Sequence, residues 1–257
     1  MVMKFRMACA TLEATLLLVG VAFGRNMRAR PVATPSKQAG ATESGAGDIT
    51  GKVNFRGKPP QLHPLLMGAD PICASEQSGK ALPEDGQVNA NNTLPNVFVY
   101  ISKGNGNLKM PAPTKMVTIT QKGCRYEPHV LGIEIGQPLQ VVTEDPTAHN
   151  IHISPRNGRH FNVSQQPGSG PVTTKFSNPQ VMISVNCNLH PWMQAYIGVV
   201  TNPYFAVTGD DGVFAIRGVP SGDYTLTVWT ATFGTQERQV TVRAGETTIV
   251  DFIFVAK

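Results

Sequence analysis

From Ile49 to its C-terminus the chain is written as short β-branched and aromatic runs separated by turn residues, with no long stretch at the 3.6-residue period of a helix. Ile49, Gly51, Val53 and Phe55 alternate with polar neighbours, which predicts a first strand with one buried face. Residues 96–102 (NVFVYIS) lack that alternation and read as a strand buried on both faces. A second series of strands is predicted at 116–120, 139–143, 149–153, 181–187 and 195–200, around a loop-like segment 154–178. A third series runs from Pro203 as VFAIR, DYTLTVW, QVTVR and TTIVDFIFV. Its punctuation is Asp210-Asp211-Gly212, Pro220-Ser221-Gly222-Asp223 and Arg243-Ala244-Gly245-Glu246. Residues 58–90 are turn-rich, with at most a short helical turn after Asp70-Pro71. Regular short strands of this kind predict an all-β chain of two β-sandwich units.

The first residues have a separate character. Lys4 and Arg6 precede an apolar run from Met7 to Gly24, and Ala22-Phe23-Gly24 offers small residues where an export peptidase cuts. Residues 1–24 are therefore expected to be a signal peptide or, failing cleavage, an N-terminal membrane anchor, and 25–47 a flexible linker rich in small and polar residues. An exported protein, periplasmic or at the cell surface, is implied. Of the formal charge of +5, residues 1–30 hold +4: Lys4, Arg6, Arg25, Arg28 and Arg30 against Glu13. From residue 31 onward 17 basic residues face 16 acidic ones, so the body gives no electrostatic case for nucleic acid as a partner. Of the four cysteines, Cys9 lies in the leader, and Cys73, Cys124 and Cys187 remain. An odd number in an oxidising compartment suggests one disulfide and one thiol with another task.

The stretch Cys187-Asn188-Leu189-His190-Pro191-Trp192-Met193 places a thiolate, an imidazole and a thioether within seven residues, between two predicted strands. Soft sulfur with imidazole suits copper, whereas magnesium and calcium prefer oxygen. A second imidazole follows from strand parity. Cys187 shares a face with Val181, Ile183 and Val185, and His149 with Ile151 and Ile153, so both end apolar faces. His152 has the opposite parity. A dinuclear copper centre would need a cysteine where Ile183 stands, and a haem attachment motif is absent.

With these residues in place the segment 114–201 resembles the cupredoxins, amicyanin most closely. The resemblance implies that His149, Cys187, His190 and Met193 bind one copper ion for single-electron transfer, and that Asn150 helps hold the cysteine-bearing loop. Thr143 and Ala148 depart from the family, which usually has Asn and Pro there. Cys73 and Cys124 are then expected to pair, a second metal site of Cys73 with His63 or His129 being the alternative. Pro191 and Trp192 suggest that the His190 ring edge reaches a small apolar patch where a redox partner protein docks.

The last segment, "DG-x-F … G-x-P-x-G-x-Y-x-L" from Asp211 to Leu226, resembles carboxypeptidase regulatory-like (transthyretin-like) sandwiches, whose first strand Ile49-Thr50-Gly51-Lys52-Val53 would supply. The expected layout is a discontinuous sandwich of 48–113 and 203–257 around a copper domain of 114–202. Competing functions are copper delivery, and an extracellular carbohydrate-binding module using Tyr204, Trp229 or Phe233 with a vestigial copper site. A centre filled by four protein ligands leaves no position for a substrate, so no enzyme is expected.

Overall fold

The computed structural model describes residues 45–77, 81–104 and 110–256. The expected signal peptide, Cys9 and nearly all of the expected linker lie outside the described residues. The elements in chain order are β1 (Ala46–Arg56), α1 (Pro71–Glu76), β2 (Phe98–Lys103), β3 (Val117–Lys122), β4 (Arg125–Glu127), β5 (Val130–Glu134), β6 (Leu139–Thr143), β7 (His149–Ser154) and β8 (Phe161–Gln165). They continue as β9 (Val172–Thr174), β10 (Gln180–Asn186), β11 (Gln194–Val200), β12 (Phe205–Val207), β13 (Val213–Pro220), β14 (Gly222–Thr230), β15 (Gly234–Val242), β16 (Thr247–Ile249) and β17 (Phe252–Val255). Among the described residues the chain is all-β apart from one short helix, and no helix is long and apolar enough to cross a membrane.

Four sheets form two sandwiches. In the first, β13-β1-β16 with β17 also on β1 faces β12-β2-β14-β15. Ile49, Val53 and Phe55 of β1 alternate inward and meet Val99, Ile101, Leu226 and Val228 of the opposing sheet. β1 runs parallel to β16 and β17, so the start and end of the described chain close one sheet. The segment TTIVDFIFV is two strands rather than one: at the break Val250 N–H still donates to the Thr50 carbonyl at 2.8 Å, but the Lys52 N–H of β1 is taken by the Asp251 side chain, at 2.8 Å, instead of by a ladder carbonyl.

The second sandwich packs β5-β11-β10-β7-β8 against β4-β3-β6-β9 around Ile119, Tyr126, Leu139, Val141, Ile151, Ile153, Ile183, Val185 and Ile197. The segment 154–178, expected as a loop, contains β8 and β9. Each pairs on one side only and is short, so neither leaves a long apolar run in the sequence.

The sandwiches are joined face to face. Phe98 of β2, Val130 of β5, Met182 of β10 and Val200 of β11 form a third buried cluster with Tyr196, Phe205 and Trp229 packed on it. This explains why 96–102 shows no alternation: Phe98 points into this seam while Val97 and Val99 point into the first core. Gly132 and Gly198, paired in register across β5 and β11, make room for it. A Cβ on Gly198 would stand 2.6 Å from the Phe98 ring, and one on Gly132 2.2 Å from the Phe205 ring. Burying Phe98 completely contributes about 2–3 kcal/mol.

Candidate metal centre

Strand geometry delivers the first two donors. β7 and β10 pair antiparallel with Ile153 opposite Val185 and His152 opposite Asn186. His149 and Cys187 both extend the inward-facing rows of these strands and are buried. After β10 the chain makes a tight turn: Met193 N–H donates to the His190 carbonyl at 3.0 Å, and Cys187 N–H to the Met193 carbonyl at 3.2 Å. That turn carries His190 back over Cys187 and returns the chain into β11.

The ligating atoms of His149, Cys187 and His190 lie within 4.8 Å of one another, and all three residues are buried. His149 Nδ1 is 3.0 Å from His190 Nδ1, and Cys187 Sγ is 3.8 Å from that same nitrogen. Met193, 1% exposed, lies in the same apolar cluster as Cys187. Asn150 braces the loop: its N–H points at Cys187 Sγ at 3.4 Å and its Oδ1 accepts from Asn188 N–H at 3.3 Å. Tyr126 O–H, fully buried, donates to the Asn150 carbonyl.

The far side of both imidazoles carries two carboxylates that sequence reasoning missed. Asp145 Oδ2 lies 2.7 Å from His149 Nε2, and Asp70 Oδ2 lies 3.0 Å from His190 Nε2. A carboxylate accepts only, so each Nε2 bears its ring proton and each Nδ1 presents a lone pair to the other and to the cysteine sulfur. Asp145 also accepts from the backbone N–H groups of Gly123 and Cys124. Asp70 divides its labour. Oδ1 caps α1 by accepting from Ile72 and Cys73 N–H, while Oδ2 takes Thr147 O–H and His190. Asp145, four residues before His149, could have been noticed; Asp70 could not, because 120 positions separate it from His190.

Two facing lone pairs at 3.0 Å repel unless a cation lies between them. Burial disfavours charge on His149, but the Asp145 hydrogen bond and the nearby Cys187 sulfur outweigh it and push the His149 pKa up to about 9. Burial raises the Cys187 thiol pKa, but hydrogen bonds from His149 and from the backbone of Asn150, Leu189 and His190 outweigh it and lower the pKa overall. His190 is lowered, by burial first and by the His149 charge, despite Asp70. Without a metal, His149 and Cys187 thus favour each other's charged forms, while His190 is held toward the neutral imidazole. Two imidazole nitrogens and a cysteine sulfur converge, with the Met193 thioether buried in the same cluster, and these donor types fit a soft or borderline transition ion.

Cys73 and Cys124 form a disulfide with Cα atoms 5.5 Å apart. It lies behind the histidines, with Cys73 Sγ 3.9 Å from His190 Nε2, and ties α1 to the β3–β4 turn. The alternative site of Cys73 with His63 or His129 is excluded: the sulfur is bonded, His63 is exposed, and His129 is held by Asp85 and the Gln194 carbonyl. The expected exposed edge of His190 is also corrected. His190 is 5% exposed and its Nε2 faces Asp70; the ring tilted against it, Trp192 with centroids 5.0 Å apart, is half-buried. Tyr204 and Phe233 pack on the first core and Trp229 on Tyr196 in the seam, so they form no open aromatic platform.

Comparison with solved structures finds a Cu-containing nitrite reductase from Thermus scotoductus at 20% identity and TM-score 0.31, covering 40% of this chain and 25% of that one. It also finds a purple cupredoxin from Nitrosopumilus maritimus (22% identity, TM-score 0.28, 32% of this chain and 98% of that one). A reduced amicyanin variant aligns at 14% identity and TM-score 0.31, over 40% of this chain and 98% of that one. The chain therefore spans a quarter of the nitrite reductase and nearly all of the two small proteins. No curated protein matches it. Residues 191–255, from the turn before β11 to the end of β17, match the family model of the carboxypeptidase regulatory-like domain.

Proposed function

We propose that the chain is an exported electron-transfer protein holding one copper ion between His149, Cys187, His190 and Met193. The observation that supports this reading is the convergence of two Nδ1 lone pairs and the Cys187 sulfur, with each Nε2 anchored by a carboxylate. Copper bound there would supply one-electron chemistry through a thiolate bond. Asp145 and Asp70 fix the tautomer and orientation of the imidazoles, and Asn150 holds Cys187 in place. Sheets on both sides keep these groups in one arrangement and exclude water from them.

Burial of all four ligands favours retention of the ion over delivery, which needs an accessible ligand to hand the metal on. Four protein ligands leave no position for a substrate, so the reading does not include catalysis. The disulfide fits export to an oxidising compartment. A redox partner protein would meet the centre near Trp192, the half-buried ring next to His190.

The test is optical and EPR spectroscopy of the mature protein loaded with Cu(II). An intense visible thiolate-to-copper band is expected, and Cys187→Ser should abolish it. A band that survives this change, or a metal-loaded protein without one, overturns the proposal; irreversible voltammetry would favour delivery.

A further inference from the structure

Residues 146–209 contain no Asp or Glu, although acidic and basic residues balance over the rest of the body. The basic residues of that stretch are Arg156, Arg159 and Lys175, all exposed. Elsewhere Lys103, Lys122, Arg125, Arg217 and Arg243 each face a carboxylate; among the described residues no carboxylate pairs with these three, nor with Lys52, Arg56, Lys58, Lys115 or Arg238. Two of them, Arg159 and Lys175, line the same cleft of about 600 Å³.

The cleft lies between the β7–β8 turn and the segment following β9, at the edge strands of both sheets of the second sandwich. Its base is apolar, with Phe176 buried and Phe161 half-buried; its rim carries the amides of Asn157 and Asn178. No carboxylate lines it. Its size falls within the range of small-ligand sites. Cations without protein partners, neutral hydrogen-bonding groups at the rim and an apolar base together match a small anion that bears hydroxyl groups and has one apolar face. β9, only three residues long, is too short to template an added peptide strand.

We propose that this cleft binds an acidic saccharide of about disaccharide size, its carboxylate or sulfate held by Arg159 and Lys175 and its hydroxyls by the rim amides. The site does not depend on the copper reading. Asn162, in the cleft wall, accepts from Asn150 Nδ2 at 2.8 Å, and Asn150 N–H points at Cys187 Sγ. One hydrogen-bonded residue therefore separates the cleft from the metal centre.

The experiment is calorimetric titration of the full protein with a uronate disaccharide, its sulfated counterpart and a neutral disaccharide. Saturable binding of a charged probe is expected, the tighter of the two identifying carboxylate or sulfate as the recognised group. Arg159→Ala with Lys175→Ala should weaken it at least tenfold while circular dichroism stays unchanged, since both side chains are exposed. Arg217→Ala, whose guanidinium faces Asp48 in the other sandwich, should leave it unchanged. Equal binding of the neutral probe, tighter binding of a short glutamate peptide, no effect of the double substitution, or no binding up to about 10 mM would each overturn the proposal.

Discussion

Asp145→Asn isolates the electrostatics of the site with almost no change of shape. The carboxylate is 5% exposed and accepts three hydrogen bonds: Gly123 N–H at 2.6 Å on Oδ1, and Cys124 N–H at 2.8 Å and His149 Nε2 at 2.7 Å on Oδ2. An asparagine offers one acceptor oxygen, and its NH₂ must oppose at least one of these donors. A hydrogen bond to a charged group contributes about 1.5–3 kcal/mol, and leaving a buried partner unpaired adds to that loss. The expected destabilisation of the metal-free protein is therefore about 3 kcal/mol, a large share of a typical total of about 5–15 kcal/mol. Urea unfolding in the presence of a chelator measures it, as a fall of the midpoint by roughly 1–2 M with an unchanged slope. Glu144→Gln is the control: its neighbouring carboxylate makes an exposed ion pair with Lys122, and its loss should cost less than about 1 kcal/mol. A loss below about 1 kcal/mol for Asp145→Asn would refute the assignment of a charge-assisted anchor behind His149.

Three further outcomes are expected. Replacing Cys73 and Cys124 together by Ala opens a loop with a separation of 51 residues and should cost about 4 kcal/mol by chain entropy, read from chemical unfolding. Gly198→Ala should cost about 1–3 kcal/mol by overpacking against Phe98, and less than half of that when Phe98 is already Leu, which a double-mutant cycle would show. For His129, burial lowers the pKa but the Asp85 hydrogen bond and the charges of Glu84 and Asp85 raise it overall. Its contribution to stability is therefore complete below the unfolded value of about 6.5 and disappears as pH rises through the folded value. His129→Asn should flatten the stability profile in that window; an unchanged slope would remove His129 as its source.

The amino-acid sequence alone determined the parts of this protein that local geometry controls. Strand alternation and turn residues are nearest-neighbour properties, so most strands, the two-sandwich class and the helical turn after Asp70 could be read directly. Cys187, His190 and Met193 could be named together because one turn between two strands spans them, and His149 because side-chain parity is set by the strand itself. The short edge strands β8 and β9 were not legible, since each buries little and pairs on one side only. What depended on tertiary structure was everything that joins distant segments. Folding brings Asp70 to His190, seats Phe98 over the glycines of β5 and β11, and closes β1 between strands from the far end of the chain. The same packing buried His190, which its neighbours Pro191 and Trp192 suggested would be exposed. A carboxylate has no periodicity and no preferred spacing from its partner, so its role becomes visible only once long-range burial has removed water from around it.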